Sequence, residues 1–266
     1  MSGVKFFKCI ENLEIEFDGT SNASLVASVL DYDKKKYWRS IGSTDAKEEA
    51  ITLALKNEAE LDTILIIGHN LKNFSILIHL SNGSIVDTFQ SFNDVVCGNS
   101  ISSNSIATSY FKFKPQSVSK IEIKMLNTFT EDKEKKIERI VLTKEVGQLK
   151  GFPSLDTEIN ESFTKYRLLS GKYKVFKKDE VFSASIIFKN YPIFEDIELM
   201  YSLASESFFI WPCGGKIGSD YFKCNIRSYR PEDLYKVSIS DNVQESFDKN
   251  IYTSNVNLVV KVVETI

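Results

Sequence analysis

Two histidines, four cysteines and a few clustered carboxylates are the residues of this chain whose types could do chemistry. His69 and His79 are too few to furnish most nucleophile–base pairs, because such a pair needs a base within hydrogen-bond reach of the nucleophile. Cys9, Cys97, Cys213 and Cys224 form no Cys-x-x-Cys and stand in no ligand spacing to a histidine, so they are expected to be separate reduced thiols, mostly buried. Glu195, Asp196 and Glu198 could imitate the carboxylate pair of a glycosidase, but they fall where a helix would begin, and acids are stabilised there by the helix dipole. Gly214-Gly215-Lys216 lacks both the earlier glycine and the following Ser or Thr of a phosphate-binding loop and reads as a turn. The residues therefore predict no catalytic site, no metal site and no cofactor, and the chain is expected not to be an enzyme.

The elements that would position any site are strands. The 266 residues are 42% hydrophobic and 26% charged, which fits one large or two medium globular domains. Net charge is −3, without a broad basic field, so nucleic acid is not an expected partner. Lys34-Lys35-Lys36 and the interrupted run from Lys133 to Lys136 read as solvated loops. Met1 to Lys8 lacks the apolar core of a signal peptide, and no apolar run reaches the ~20 residues that span a bilayer. The chain is expected to be made in a cytoplasm, which is compatible with later release inside a particle, and membrane insertion is not expected.

Short runs rich in Ile, Val, Phe and Tyr predict strands at Tyr37–Ser40, Ile51–Leu55, Leu61–Gly68, Phe74–Ile78, Tyr110–Phe113, Val118–Lys124 and Ile137–Leu142. A short helix or extended arm is expected from Asn22 to Asp31. Asn82-Gly83 predicts a tight hairpin, and His69-Asn70 a second turn. Between residues 118 and 125 the alternation puts Ser119, Ile121, Ile123 and Met125 on one face and Val118, Lys120, Glu122 and Lys124 on the other. Ile64-Leu-Ile-Ile67 is apolar on both faces, as in a strand covered on both sides. Gly98 to Ser105 reads as a polar loop, and Gly147 to Pro153, with its Gly and Pro, as a linker.

Beyond it, Lys172–Phe176 and Val181–Phe188 predict a hairpin turning at Lys177–Glu180. Pro192 to Ala204 predicts a helix whose apolar stripe is Ile193, Ile197, Met200 and Ala204. Further strands are expected at Phe208–Trp211, Tyr221–Ile226, Leu234–Ile239 and Val256–Val263. The chain thus reads as mainly β: residues 1–147 as a β-sandwich, and 148–266 as a β-rich, barrel-like unit with one helix.

The order Trp38-Arg39-Ser40, Ile51-Thr-Leu-Ala-Leu55, Leu61-Asp-Thr-Ile64, Tyr110–Phe113, Lys120–Lys124 and Arg139–Leu142 resembles the galactose-binding-like (discoidin, or coagulation-factor type C) family over roughly 125 residues. That resemblance implies a jelly-roll sandwich that binds or joins things. It implies that Trp38 packs at the barrel end, and that a ligand would meet loops at one end, where Arg39, His69, Asn70 and Asn73 are the candidate binding residues. Arg39 would bind a carboxylate or a sugar hydroxyl, and Asn70 or Asn73 hydroxyls. Against this stands the plainer reading, in which Asn70 takes a left-handed turn conformation and His69 is an exposed loop residue. Members of this fold sometimes hold calcium, and Asp31, Asp33 and Asp45 lie in that region without forming a recognisable calcium loop.

Tyr37-Trp-Arg-Ser40 and Gly68-His-Asn-Leu71, followed by Phe209-Ile-Trp-Pro-Cys213 and Tyr229-Arg-Pro-Glu-Asp-Leu-Tyr235, also look like tailed-phage virion proteins. That resemblance implies a structural component of a phage tail or related injection particle, acting in assembly or surface attachment. Its partners would be other virion proteins and its own copies. The alternative expectation is a carbohydrate-binding module protein that meets cell-surface glycans through its sandwich loops.

Overall fold

The computed structural model describes residues 4–10, 14–30, 37–42, 44–90, 97–98, 107–131, 133–149, 154–167, 173–191, 194–204, 206–211, 234–240, 244–247 and 256–264. Chain order gives strands β1 (Lys5–Lys8), β2 (Ile15–Gly19), β3 (Trp38–Arg39), β4 (Glu49–His69), β5 (Leu71–Leu80), β6 (Ile85–Gln90), β7 (Cys97–Gly98) and β8 (Ala107–Thr128). They are followed by β9 (Lys136–Ile137), β10 (Arg139–Gln148), β11 (Ser154–Arg167), β12 (Tyr173–Tyr191), β13 (Phe208–Trp211), β14 (Tyr235–Ile239), β15 (Gln244–Phe247) and β16 (Val256–Glu264). Helix α1 (Ala23–Val26) runs into a 3-10 turn at Ala27–Leu30, and α2 is Phe194–Ser202.

The sandwich is built by two strands that each serve both layers. Glu49–Ala54 of β4 pairs with Met125–Lys120 of β8, while Ala59–His69 pairs with Val118–Ala107. The first layer is β2, the start of β4, the end of β8, β5 and β6. The second layer is β7, the start of β8, the end of β4 and β10. Two pairs of short strands expected from the sequence are therefore two long, bent strands. The register shifts at the bends, between Ala54 and Ala59 and between Leu61 and Thr63. Neither Gly nor a turn dipeptide stops the chain there. The exposed polar residues Lys56, Asn57, Glu58 and Glu60 carry β4 around its bend, and Pro115 falls within the shift in β8, where a missing N–H is tolerated.

Alternation decides what fills the space between the layers. Ile51, Leu53, Ile76, Ile78, Ile121, Ile123 and Met125 from the first layer meet Ile64, Ile66, Phe111, Ile140 and Leu142 from the second in one buried cluster. The alternation predicted for residues 119–125 holds, except that Val118, placed with the charged face, is also buried. Leu65 and Ile67 belong to a separate cluster with Phe7, Val141, Phe209, Trp211 and Leu234, so this strand is covered on both faces as its sequence predicts. The Asn82-Gly83 hairpin forms: Gly83 has φ +84, Leu80 N–H donates to Ser84 O (2.9 Å), and Ser84 N–H donates to Asn82 Oδ1 (2.9 Å).

Strand β1 joins the halves of the chain. Lys5–Lys8 pairs with Gln148–Lys144 of β10 on one side and with Trp211–Phe208 of β13 on the other. From β13 the sheet runs on through β14, β16 and β12 to β11, with β15 added beside β16. Phe6 lies in a cluster with Phe182, Ile186, Phe208, Ile210, Val237, Val260 and Val262, whereas its neighbour Phe7 enters the cluster around Trp211. Gly147 and Gln148, expected in a linker, are the last residues of β10 and stand opposite Phe6 and Lys5. Residues 150–153 of that segment, the expected strand at Tyr221–Ile226 and most of the polar loop at Gly98–Ser105 lie outside the described residues.

Two expectations for the second half are corrected. Tyr173–Tyr191 is one strand, not a hairpin, and it pairs with β11 from Tyr173 to Ile187. Lys177–Glu180 contains neither Gly nor Asn. Its charges sit at a register shift opposite Glu161 and Phe163 instead of at a turn. In α2, Ile197 and Met200 are buried as predicted; the next buried residue is Leu203, just past the helix, Ala204 is exposed, and Pro192 and Ile193 lie outside the described residues.

Candidate functional site

Residues 37–41 run along one end of the sandwich with a strand's alternation. Trp38 and Ser40 point in, and Tyr37, Arg39 and Ile41 point out. The inward pair fixes the segment. Trp38 is fully buried, as the family resemblance implies, and its Nε1–H donates to Ser21 O (3.1 Å). Ser40 N–H donates to Lys135 O (2.9 Å), and Lys135 N–H returns a bond to Ser40 Oγ (2.8 Å). Pairing of β3 with β9 sets Trp38 opposite Ile137 and Arg39 opposite Lys136.

The outward residues form a surface of mixed character. Tyr37 is 39% exposed, Ile41 63%. The Lys136 ammonium lies 4.5 Å from the centre of the Tyr37 ring and 2.7 Å from Glu138 Oε1. Arg39 Nη1 lies 3.7 Å from Glu134 Oε2, both side chains half-exposed, a geometry in which an ion pair is worth little and a guanidinium can exchange partners.

Of the four candidate binding residues, Arg39 reaches solvent at this surface. Asn70 is beside it, but both ends of its amide are used: Nδ2–H donates to Glu134 O (2.8 Å), and Oδ1 accepts from Lys136 N–H (2.7 Å). Asn70 thus braces the loop that carries Glu134 and Lys136. It does not adopt the left-handed turn expected of it; Gly68, with φ +65, supplies that conformation. Asn73 lies along β5, its Nδ2–H donating to Asn127 Oδ1 (3.3 Å) of β8.

His69 is not an exposed loop residue. It is the buried last residue of β4, edge-on to Phe74 (5.3 Å) and stacked near Phe129 (6.4 Å). Its Nδ1 accepts from Leu71 N–H (3.2 Å), which leaves the proton on Nε2 to donate to Ser109 Oγ (2.8 Å). Burial pushes the imidazole pKa down to about 3. His69 is a neutral core residue that ties β4, β5 and β8 together beneath Asn70.

Behind the surface is a buried charge that the sequence reading placed in a solvated loop. Lys135 is fully buried, and its ammonium donates to Thr44 O (3.0 Å) and Lys47 O (2.7 Å). Burial pulls its pKa below the usual lysine range, opposed by the carboxylates of Glu49 and Asp45. Burial also pushes the Glu49 carboxyl up, but hydrogen bonds from Lys47 and Thr20 hold it below the usual carboxylate range. Asp45 Oδ1 accepts from the Thr128 N–H (3.2 Å) and hydroxyl (3.3 Å). Of the acids considered for calcium, Asp45 is therefore engaged with Thr128, while Asp31 and Asp33 lie outside the described residues. Among the described residues no three His, Cys, Asp or Glu side chains gather as a metal site. In α2, Asp196 is buried while Glu195 and Glu198 are exposed, so the three acids do not share an environment.

The site reading from sequence missed Tyr37, Ile41, Lys135 and Lys136. Alternation about Trp38 could have given the first two, since a buried Trp fixes the parity of its neighbours. Lys135 carried no signal, because a lysine between Glu134 and Lys136 looks solvated until the fold turns one of the run inward.

No protein-family model matches the chain, and no curated protein matches its sequence. Solved structures match about half of it. One is the family 32 carbohydrate-binding module from Clostridium perfringens NanJ in complex with galactose (15% identity, TM-score 0.37, covering 49% of this chain and 93% of that one). Another is a family 32 module from a family 31 glycoside hydrolase of Clostridium perfringens (15% identity, TM-score 0.39, covering 49% of this chain and 90% of that one).

Proposed function

We propose that this protein is a recognition module that binds carbohydrate at the sandwich end carrying Tyr37, Arg39, Ile41 and Lys136. The observation that carries the reading is the alternation of residues 37–41, which holds a ring, a guanidinium and an alkyl group outward on a backbone fixed by buried Trp38 and Ser40. A sugar has an apolar C–H face and a rim of hydroxyls. Tyr37 and Ile41 suit the first, and Arg39 suits vicinal hydroxyls or a carboxylate through its planar fork of donors. Because the segment is braced before any ligand arrives, little ordering entropy would be lost on binding.

The test is a glycan array with the full chain, followed by calorimetric titration of the bound sugars into wild type, Tyr37→Ala and Arg39→Ala. Binding lost in both variants at unchanged thermal stability supports the reading. Binding to no glycan, or binding indifferent to both changes, refutes it.

A second reading, assembly into a particle such as a phage tail with the sandwich turned outward for attachment, is favoured by the position of β11, which ends the strand order among the described residues. Co-sedimentation of the chain with purified particles tests it, and its absence from them would refute it.

A further inference from the structure

Residues 44–47 make a surface turn, closed by Lys47 N–H donating to Thr44 O (3.1 Å). None of the four is buried, so apolar burial does little to hold the turn in place. A charge holds it from beneath. The side chain of Lys135 is fully buried, and its ammonium ends against the oxygens of Thr44 (3.0 Å) and Lys47 (2.7 Å). The Thr44 oxygen thus accepts one bond from within the turn and one from below it.

Acids complete the surroundings. Asp45, in the turn, is tied to β8 through the Thr128 N–H and hydroxyl. Glu49, fully buried at the start of β4, has the Lys47 ammonium 2.7 Å from its Oε1. The carboxylates of Glu49 and Asp45 both attract the Lys135 charge. Loop carbonyls with carboxylates near them are the oxygen ligands with which proteins hold hard metal ions. Here an ammonium stands among them.

An ammonium and a metal ion exclude each other at this place. The two oxygens lie at N–H···O distances from Nζ, whereas calcium draws about six to eight oxygens to about 2.3–2.6 Å. A calcium ion entering beside Lys135 would also meet a like charge across a short, poorly screened distance. The backbone of the same lysine bonds Ser40 in both directions, so one residue joins the turn to segment 37–41.

We propose that Lys135 is a tethered cation: its ammonium fills a cation site formed by the Thr44 and Lys47 carbonyls and orders the turn at 44–47 in place of a metal ion. Cut back to Cβ, the site should accept a free primary alkylammonium. The proposal does not depend on the carbohydrate reading, and its test reads thermal melting and not glycan binding.

The experiment melts the full chain as wild type, Lys135→Ala and Lys135→Met, each with EDTA, calcium chloride, propylammonium chloride or tetramethylammonium chloride. Propylammonium has the atoms that K135A removes beyond Cβ; tetramethylammonium has the charge without an N–H. Wild type is expected to melt at one temperature with EDTA and with calcium, and to be indifferent to propylammonium. K135A should melt well below wild type and recover about half of the loss in propylammonium, its Tm rising with the logarithm of concentration, as for a ligand of the folded state. K135M, whose own side chain fills the channel, should not respond. If K135A is unfolded in buffer, propylammonium should restore its β circular dichroism. A wild type that EDTA destabilises, a K135A that propylammonium does not help, or equal help from tetramethylammonium or to K135M would each overturn the proposal.

Discussion

Acid should weaken this protein through His69 before its carboxylates titrate. The imidazole is buried, and Nδ1 accepts the Leu71 amide proton, so a second ring proton would have to displace that bond and bring a charge into the core. With a pKa near 6.5 in the unfolded chain and about 3 in the fold, His69 binds more protons when unfolded throughout that interval. The sign follows: its contribution is fully present above pH 6.5 and is lost as pH falls toward 3. Between pH 7.5 and pH 5 the loss comes to about 2 kcal/mol, close to the full slope of ~1.4 kcal/mol per pH unit once the unfolded imidazole is protonated. The assay is urea unfolding at both pH values for wild type and His69→Gln. The variant loses stability of its own at every pH, but it retains His79 and every carboxylate, so the difference between the two pH losses isolates His69. A difference of about 2 kcal/mol is expected. Equal losses within ~0.5 kcal/mol would refute the assignment of His69 as a neutral buried link.

Two further changes probe how the sandwich end is held. Lys135→Met removes the ammonium that the Thr44 and Lys47 carbonyls share and leaves both without that donor, so unfolding in urea should show a loss of about 3 kcal/mol, and a change under ~1 kcal/mol would mean that the charge is not structural. Gly68→Ala should cost more than ~1 kcal/mol, because φ is +65 and the new Cβ would clash with the Glu138 side chain; adding Glu138→Ala should relieve the clash while the backbone strain remains, and thermal melts of both variants would show it.

The sequence revealed period and burial more readily than strand ends. Ile64 to Ile67 announced a strand covered on both faces through unbroken hydropathy, and Asn82-Gly83 announced its hairpin through local backbone preference. The continuity of β4 through Lys56–Glu60 and of β8 through Pro115 was hidden. A bend that passes a strand from one layer to the other uses polar residues, as a loop does, and only the partner strand distinguishes them. The same limit misplaced the turn at Lys177–Glu180. At the candidate site, Arg39 was legible as an outward residue beside Trp38, but His69 was not legible as a core residue. A histidine next to Asn in a short polar stretch reads as surface until Phe74, Phe129 and Ser109 are brought around it from distant strands.

Because β1 lies between β10 and β13, the order in which the chain is synthesised bears on how it can fold. Lys5–Lys8 is made before the other described strands, yet one flank of its place is not complete until Gln148 has been made and the other not until Trp211 has. A sandwich closed by β2 to β10 can form while the ribosome is still at work, but the far side of β1 must wait for some sixty more residues, roughly 3–12 seconds of elongation at about 5–20 residues per second. During that interval Phe6 and Phe7, both buried in the finished fold, have half of their surroundings missing. A chain cut short before β13 would keep that apolar edge bare, which makes premature truncation a greater aggregation hazard here than in a protein whose first strand pairs only with its neighbours in sequence.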